Sequence, residues 1–222
     1  MTAKFPEQTA NRYDRWYETG FGRWADKLEK QLLAELLGPV EGKRILDIGC
    51  GTGHFSLWLA AMGCKVTAID RSDAMLQIAQ AKVGETVSVQ KLSAEHLRFA
   101  DNSFDIAFMV TTLEFVDNAE KALSEAARVA RESIVLGVLN RQSLLGRWRK
   151  LTGILKHNTY SQARFFTPGE LARLCRQAAA ANAKQAEVCW SGTVCLRQLV
   201  IKQPARCPFA TFIGMRAKLT QS

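Results

Sequence analysis

The chain is predicted to be an α/β protein built on a doubly wound, mostly parallel sheet, and three observations lead there. Short apolar runs bounded by turn residues recur at Arg44–Ile48, Lys65–Ile69, Thr86–Lys91, Phe104–Val110 and Ser133–Leu139. Helical patterns alternate with them at His54–Met62, Ser72–Lys82 and Asn118–Ala130. Three glycines, Gly49, Gly51 and Gly53, follow directly on the first run. Nearly all-apolar strands alternating with helices are what a parallel sheet covered on both faces requires.

Each element has its own warrant. RILDI is short, apolar and closed by the glycines, so it reads as a buried strand leading into a tight loop. KVTAID ends on an acid before the helical pattern of SDAML, and FDIAFMV and SIVLGVL repeat the buried-strand signature. Further on, Thr167-Pro168-Gly169-Glu170 forms a capping box with proline at the first helical position, which opens a helix reaching about Ala181. The tail FATFIGMRAKL alternates like a last strand of the sheet, while 184–208 show no pattern regular enough to place.

Composition bounds the rest. With 222 residues, 47% hydrophobic and 23% charged, the chain can bury a full core in one globular domain. The N-terminal residues lack the apolar stretch of a signal peptide and nowhere do apolar residues run long enough to span a bilayer, so the expected location is cytoplasmic. The six cysteines form no CxxC pair and the three histidines are scattered, which suggests neither a zinc site nor a disulfide framework. Net charge is +9, and residues 131–222 hold 15 Lys/Arg against 3 Asp/Glu. That asymmetry fits either an anionic partner or a solvated basic surface.

The glycines mark the candidate site. In a doubly wound sheet, ligands lie beyond the carboxyl ends of the strands where strand order reverses, and a glycine loop there lets backbone and helix amides approach a ligand closely. The spacing G-C-G-T-G differs from the dinucleotide pattern G-x-G-x-x-G, and Asp47 stands two residues ahead of the first glycine. A carboxylate there repels a pyrophosphate and suits an ammonium group. Asp70 ends the second strand, placed to accept hydrogen bonds from ribose hydroxyls.

At this point ILDIGCGTGHFS, VTAIDRSDAML and LSAEHLRFADNSFDIAFMVTTLEFV, in that order, resemble the motifs of the class I S-adenosylmethionine-dependent methyltransferases, in the small-molecule branch that includes quinone-biosynthesis enzymes. The resemblance implies a Rossmann-like, seven-stranded sheet closed by a hairpin, with S-adenosylmethionine as cofactor and methyl transfer as the activity. It implies that Gly49, Gly51 and Gly53 shape the loop around the methionyl end, with Asp47 near the ammonium group or the loop amides. By the same likeness Asp70 binds the ribose, Arg71 and Met75 pack near the adenine, and Ser93, Ala94 and Glu95 meet its edge. Ser93 stands where the family commonly has aspartate, so the main chain at Ala94 takes over that contact. Thr111 faces the reactive end, and Tyr13 and Trp16 come from the N-terminal arm. Asp105, at a strand start, reads as structural.

No catalytic acid or base is singled out; His157 and Tyr160 are the residues that a closing basic segment could bring in. An acceptor brought to near-attack distance from a sulfonium methyl, with water excluded, needs a base only if it arrives protonated. The acceptor is expected to be a small or lipid-like molecule, and an anionic one fits the charge. Leu144, Leu145, Trp148, Leu151 and Leu155 recur at helical spacing with Arg147, Arg149, Lys150 and Lys156 between them. This basic amphipathic stretch, 144–156, leaves open a peripheral membrane contact, a phosphorylated acceptor or plain packing on the domain. Nucleic acid is disfavoured, because TTLE stands where base-directed enzymes carry an Asn/Asp-Pro-Pro-aromatic tetrad. The expected organisation is an N-terminal helical arm or lid at 1–40, a cofactor-binding core at 41–140, a basic helical insertion over the site at 141–182, and sheet-closing strands at 183–222.

Overall fold

A computed structural model describes residues 14–143, 163–193, 207 and 209–221. Its helices are α1 (Gly20–Leu37), α2 (His54–Ala61), α3 (Asp73–Val83), α4 (Ala119–Val129) and α5 (Pro168–Ala180). Seven strands, β1 (Arg44–Ile48), β2 (Lys65–Asp70), β3 (Ser88–Lys91), β4 (Phe104–Val110), β5 (Ala130–Leu139), β6 (Lys184–Thr193) and β7 (Phe212–Gln221), form one sheet in the order β3-β2-β1-β4-β5-β7-β6. The first five are parallel, and β7 runs antiparallel to both β5 and β6.

Burial explains the apolar runs. Every residue of β4 is buried, and from Ile106 onward its side chains alternate between two cores. Ile106, Phe108 and Val110 join the core that holds Leu32, Leu33, Phe55 and Leu59 of α1 and α2. Ala107 and Met109 join the one that holds Leu123, Ala126, Leu171 and Leu174 of α4 and α5. A strand buried on both faces gains from apolar side chains at every position, at roughly 1.5–3 kcal/mol for each large one.

The helices begin where the sequence places caps. Ser72, Asn118 and Thr167 accept backbone N–H bonds from Met75, Lys121 and Glu170 at the starts of α3, α4 and α5. The fifth strand starts at Ala130, three residues before the apolar run, because α4 passes into β5 without a loop and Ala130 pairs with Phe104 across an irregularity in the ladder. The first ten of the residues left unplaced by pattern, Lys184–Thr193, are β6, an edge strand of the sheet. Its start is pinned by the buried Lys184 ammonium, which donates to Asn102 Oδ1 and to the carbonyls of Ala127 and Ala130 at 2.7–2.8 Å. Asp105 ties strands at the opposite end from the glycine loop: its carboxylate accepts the Arg44 N–H and the Arg131 guanidinium, both at 2.8 Å.

Strand order reverses at β1, whose neighbours are β2 on one side and β4 on the other. The crevice expected at such a switch point opens at the carboxyl ends of these three strands.

Candidate active site

β1 ends at Ile48 and the glycine loop folds over its tip. Gly49, Gly51 and Gly53 all take positive φ, at 75, 54 and 78°, which side chains rarely tolerate. At Gly49 the need is also steric, since a Cβ there would lie 2.3 Å from Thr112 Cγ2. The loop is held by backbone bonds, with the N–H groups of Gly49 and Cys50 both donating to the Ile69 carbonyl at 2.7 and 2.9 Å. Thr112, just after β4, places its hydroxyl among the carbonyls of Ile48, Gly49 and Val110 at 3.0–3.3 Å, so the loop is braced from the β4 side as well.

Asp70 and Asp47 divide the acidic work differently from the reading by spacing alone. Asp70, at the tip of β2, accepts the Gly51 N–H at 3.0 Å and the Ser72 N–H at 2.8 Å, and so locks the loop to the start of α3. Burial raises its pKa while these amide bonds and Arg71 pull it back down. Asp47 lies deeper, 2% exposed, where its Oδ2 accepts the Ser56 hydroxyl at 2.5 Å. The loop amide near these acids goes to Asp70 and not to Asp47. Burial pushes the Asp47 carboxyl up to about 7; the Ser56 bond opposes the rise and the neighbouring Asp70 charge adds to it.

Of the remaining expected residues, Met75 is buried on α3, and its Sδ lies 4.0 Å from where a Cβ on Gly51 would stand, with no closer atom there. Arg71 reaches across to Asp117 at 3.2 Å. Glu95 Oε1 accepts the Asn118 N–H at 2.7 Å, while the Ser93 hydroxyl accepts the Glu95 N–H at 3.3 Å and Ala94 packs half-buried against the core. Arg71 and the 93–95 loop therefore meet the same short segment, Asp117-Asn118, beside the crevice. Thr111 has a positive φ of 51° and donates its N–H to the Gly137 carbonyl at 2.7 Å. Trp16 lies in a helical stretch, 14–18, edge-on to Tyr17 and Phe21. Tyr13, the basic stretch 144–156, His157 and Tyr160 lie outside the described residues.

Several residues that shape this site carry no mark in the spacing of glycines and acids. Thr112 and Ser56 brace the loop and Asp47, and Glu114 ties together the tips of β4 and β5. Glu114 is 1% exposed, its Oε1 accepts the Leu139 N–H at 2.7 Å, and its carbonyl accepts the Arg164 N–H at 2.9 Å. Its Oε2 has no hydrogen-bond partner among the described residues, and burial pushes its pKa up to about 7. The available signal was the polar T-T-x-E run directly after the apolar stretch Ile106–Val110, since buried polar groups at a strand tip need local partners.

Residues 46–136 match a methyltransferase-domain family model. A ubiquinone biosynthesis O-methyltransferase of Alkalilimnicola ehrlichii is 32% identical over 163 residues, covering 68% of this chain and 66% of that protein. One of the same name from Azoarcus sp. is 33% identical over 149 residues, covering 62% and 64%. The matched region thus spans just under two thirds of these curated relatives. A solved S-adenosylmethionine-dependent methyltransferase of Thermotoga maritima, described as a possible histamine N-methyltransferase, is 30% identical with a TM-score of 0.78 and aligns over 96% of both chains. The chain belongs to the class I S-adenosylmethionine-dependent methyltransferases. Magnesium protoporphyrin IX methyltransferase of Synechocystis, solved with bound S-adenosylhomocysteine, shares the fold at a TM-score of 0.68 and 20% identity, covering 96% of this chain and 94% of that one.

The cofactor of this family, S-adenosylmethionine, fits the residues present. The open space at Gly51 beside Met75 is a cradle that a side chain would fill. The half-buried Asp70 carboxylate at the tip of β2 gives negative potential suited to a ligand carrying sulfonium and ammonium charges, and such a ligand favours the charged form of the buried Asp47 on the adjacent strand.

Proposed function

We propose that this methyltransferase acts on an oxygen atom of a small, lipid-like acceptor. The observation that supports the cofactor side best is Asp70, anchored by the backbone amides of Gly51, Arg71 and Ser72 at the tip of β2. An ionised carboxylate offers about four lone-pair sites, more than the backbone amides of Gly51, Arg71 and Ser72 use, which leaves capacity for a ribose hydroxyl. In this reading Gly49, Gly51 and Gly53 enclose the methionyl end, and Asp47 lies below it as an acid that the bound cation drives into its charged form. Arg71, Met75, Ser93, Ala94 and Glu95 flank the adenine, and Thr111, Tyr13 and Trp16 bound the reactive end.

When bound, the sulfonium supplies an electrophilic methyl group. The protein's part is then to orient the acceptor and exclude water. The oxygen preference rests on the curated relatives, which are named O-methyltransferases. The Thermotoga neighbour supports an amine acceptor as the second reading. The basic stretch 144–156, within the insertion 141–182, recruits the acceptor through an anionic group or a membrane surface, on a protein that works in the cytoplasm. Among the described residues no helix is long and apolar enough to cross a membrane.

Release of S-adenosylhomocysteine is the test, measured against matched phenols, amines and phosphorylated compounds. Turnover of phenols with an O-methyl product is expected. Turnover of amines alone would shift the assignment to nitrogen, and the absence of release with every acceptor class despite tight cofactor binding would make this chain a non-catalytic binder.

A further inference from the structure

The cofactor loop carries a polar cluster that the family motifs leave unexplained. Thr52, the residue between the second and third glycines, is fully buried, and its hydroxyl donates to Asp14 Oδ1 at 2.6 Å. Lys82, near the end of α3, donates to both Asp14 oxygens at 2.8 Å and stands 3.3 Å from the Thr52 hydroxyl. Three segments distant in sequence therefore meet at one carboxylate: the N-terminal arm, the glycine loop and the helix that bears Met75. The junction is tight, because a Cβ on the adjacent Gly53 would lie 3.0 Å from Val83 and 3.3 Å from Ala79.

A second contact docks the same arm three residues on. The Tyr17 ring stacks on His54, with centroids 3.8 Å apart and planes within 17°. His54 opens α2 directly after the glycine loop, and its Nε2 lies 2.7 Å from Asp26 Oδ1 and 3.0 Å from Lys30 Nζ on α1. That nitrogen donates to Asp26 or accepts from Lys30, depending on its tautomer. Both contacts press the arm onto the loop, and Tyr13 and Trp16 flank Asp14 in sequence.

We propose that Asp14 and Lys82 are positioning residues for S-adenosylmethionine, acting as a latch that docks the N-terminal arm on the glycine loop and so sets cofactor affinity. The inference rests on the cofactor site assigned above. Side-chain exposures of 27% for Asp14 and 25% for Lys82 place the pair between a solvated surface bridge and a buried one. Their direct effect on the fold is accordingly small, since the stretch 14–18 that carries Asp14 contributes no strand to the sheet and no residue to either core. The effect on ligand binding is larger, because an undocked arm must be ordered again at each binding event.

Calorimetry with S-adenosylmethionine on Asp14→Asn and Lys82→Met, beside the double swap Asp14→Lys with Lys82→Asp, tests this. Each single variant is expected to bind about tenfold more weakly, ~1.4 kcal/mol. Cofactor-free melting temperatures should stay near wild type, and the swap should recover most of the affinity. Limited proteolysis without cofactor should cut the arm faster in the single variants and not in the swap. Wild-type affinity in both single variants would overturn the latch, as would a loss that follows a fall in melting temperature and is not recovered by the swap. A wild-type protein that fails to bind S-adenosylmethionine would instead overturn the cofactor site, and the proteolysis arm would still decide whether the latch docks the arm.

Discussion

Replacing Asp47 by Asn isolates the effect of a buried acid on stability and on cofactor binding. The Asp47 carboxyl is enclosed in the folded protein, with the Ser56 hydroxyl as its hydrogen-bond partner and Asp70 adding repulsion. Its proton is held to about pH 7 instead of the ordinary 3.8. The folded state therefore binds more protons than the unfolded state between these limits, and stability falls as pH rises. The contribution is fully present below about pH 4 and lost as pH climbs through 7. At about 1.4 kcal/mol per pH unit, the loss is on the order of 4 kcal/mol from this one group. Asparagine keeps an oxygen that accepts the Ser56 hydroxyl and cannot charge. Urea denaturation from pH 5 to 8 should show wild-type stability declining steeply, Asp47→Asn declining less, and the variant overtaking wild type at the alkaline end. A cationic ligand beside Asp47 favours its charged form, so S-adenosylmethionine should bind wild type more tightly as pH rises through 7, releasing a proton, with a smaller trend in the variant. Parallel stability profiles for the two proteins would refute the assignment of a buried, proton-holding carboxyl.

Asp70→Ala should weaken S-adenosylmethionine binding by about 1.5–3 kcal/mol, the range for hydrogen bonds to a charged group, and a folded variant with unchanged calorimetric affinity would remove Asp70 from the site. Gly49→Ala combines a positive φ, costing about 1–2 kcal/mol, with an overlap on Thr112, so a cycle with Thr112→Gly should recover the overlap and leave the strain; strict additivity of the two changes in urea would contradict that packing. Neutralising Arg147, Arg149 and Lys150 to Gln should lower affinity for anionic vesicles about a hundredfold if the stretch meets a membrane, at roughly 1 kcal/mol per cation, or raise the acceptor's KM at unchanged cofactor affinity if it meets a phosphorylated acceptor. Wild-type behaviour in both assays would leave the stretch without an anionic partner.

The parts of the fold written in the sequence are those fixed by local chemistry. β1 and β4 occupy the runs read for them, residue for residue, because both are buried on two faces and closed by turn residues. Helix α5 begins at Pro168 because the Thr167 hydroxyl accepts the Glu170 N–H and proline fits the first turn; the Glu170 carboxylate that the capping box would turn back to Thr167 instead meets Arg164 and Arg141. Strand β6 was hidden for a physical reason: as the edge strand it exposes Gln185, Glu187 and Cys189, and its stripe of Ala186, Val188 and Trp190 is only half-buried. At the site, the glycines and Asp70 were legible because a tight turn and a strand-end acid have fixed spacings. Thr112, Glu114 and the Asp14–Lys82 pair were not, since Ile48 lies 64 residues from Thr112, Leu139 lies 25 from Glu114 and Asp14 lies 68 from Lys82, and only the sheet order and the docked arm bring them near.

The central claim is that the crevice at the tips of β1, β2 and β4 takes S-adenosylmethionine. Its most direct test is a calorimetric comparison of S-adenosylmethionine with NAD on the wild-type protein. Saturable one-to-one binding of S-adenosylmethionine, lost or sharply weakened in Asp70→Ala, with no NAD binding at micromolar concentration, is the predicted result. Tight NAD binding, or no S-adenosylmethionine binding by a folded protein, would contradict it.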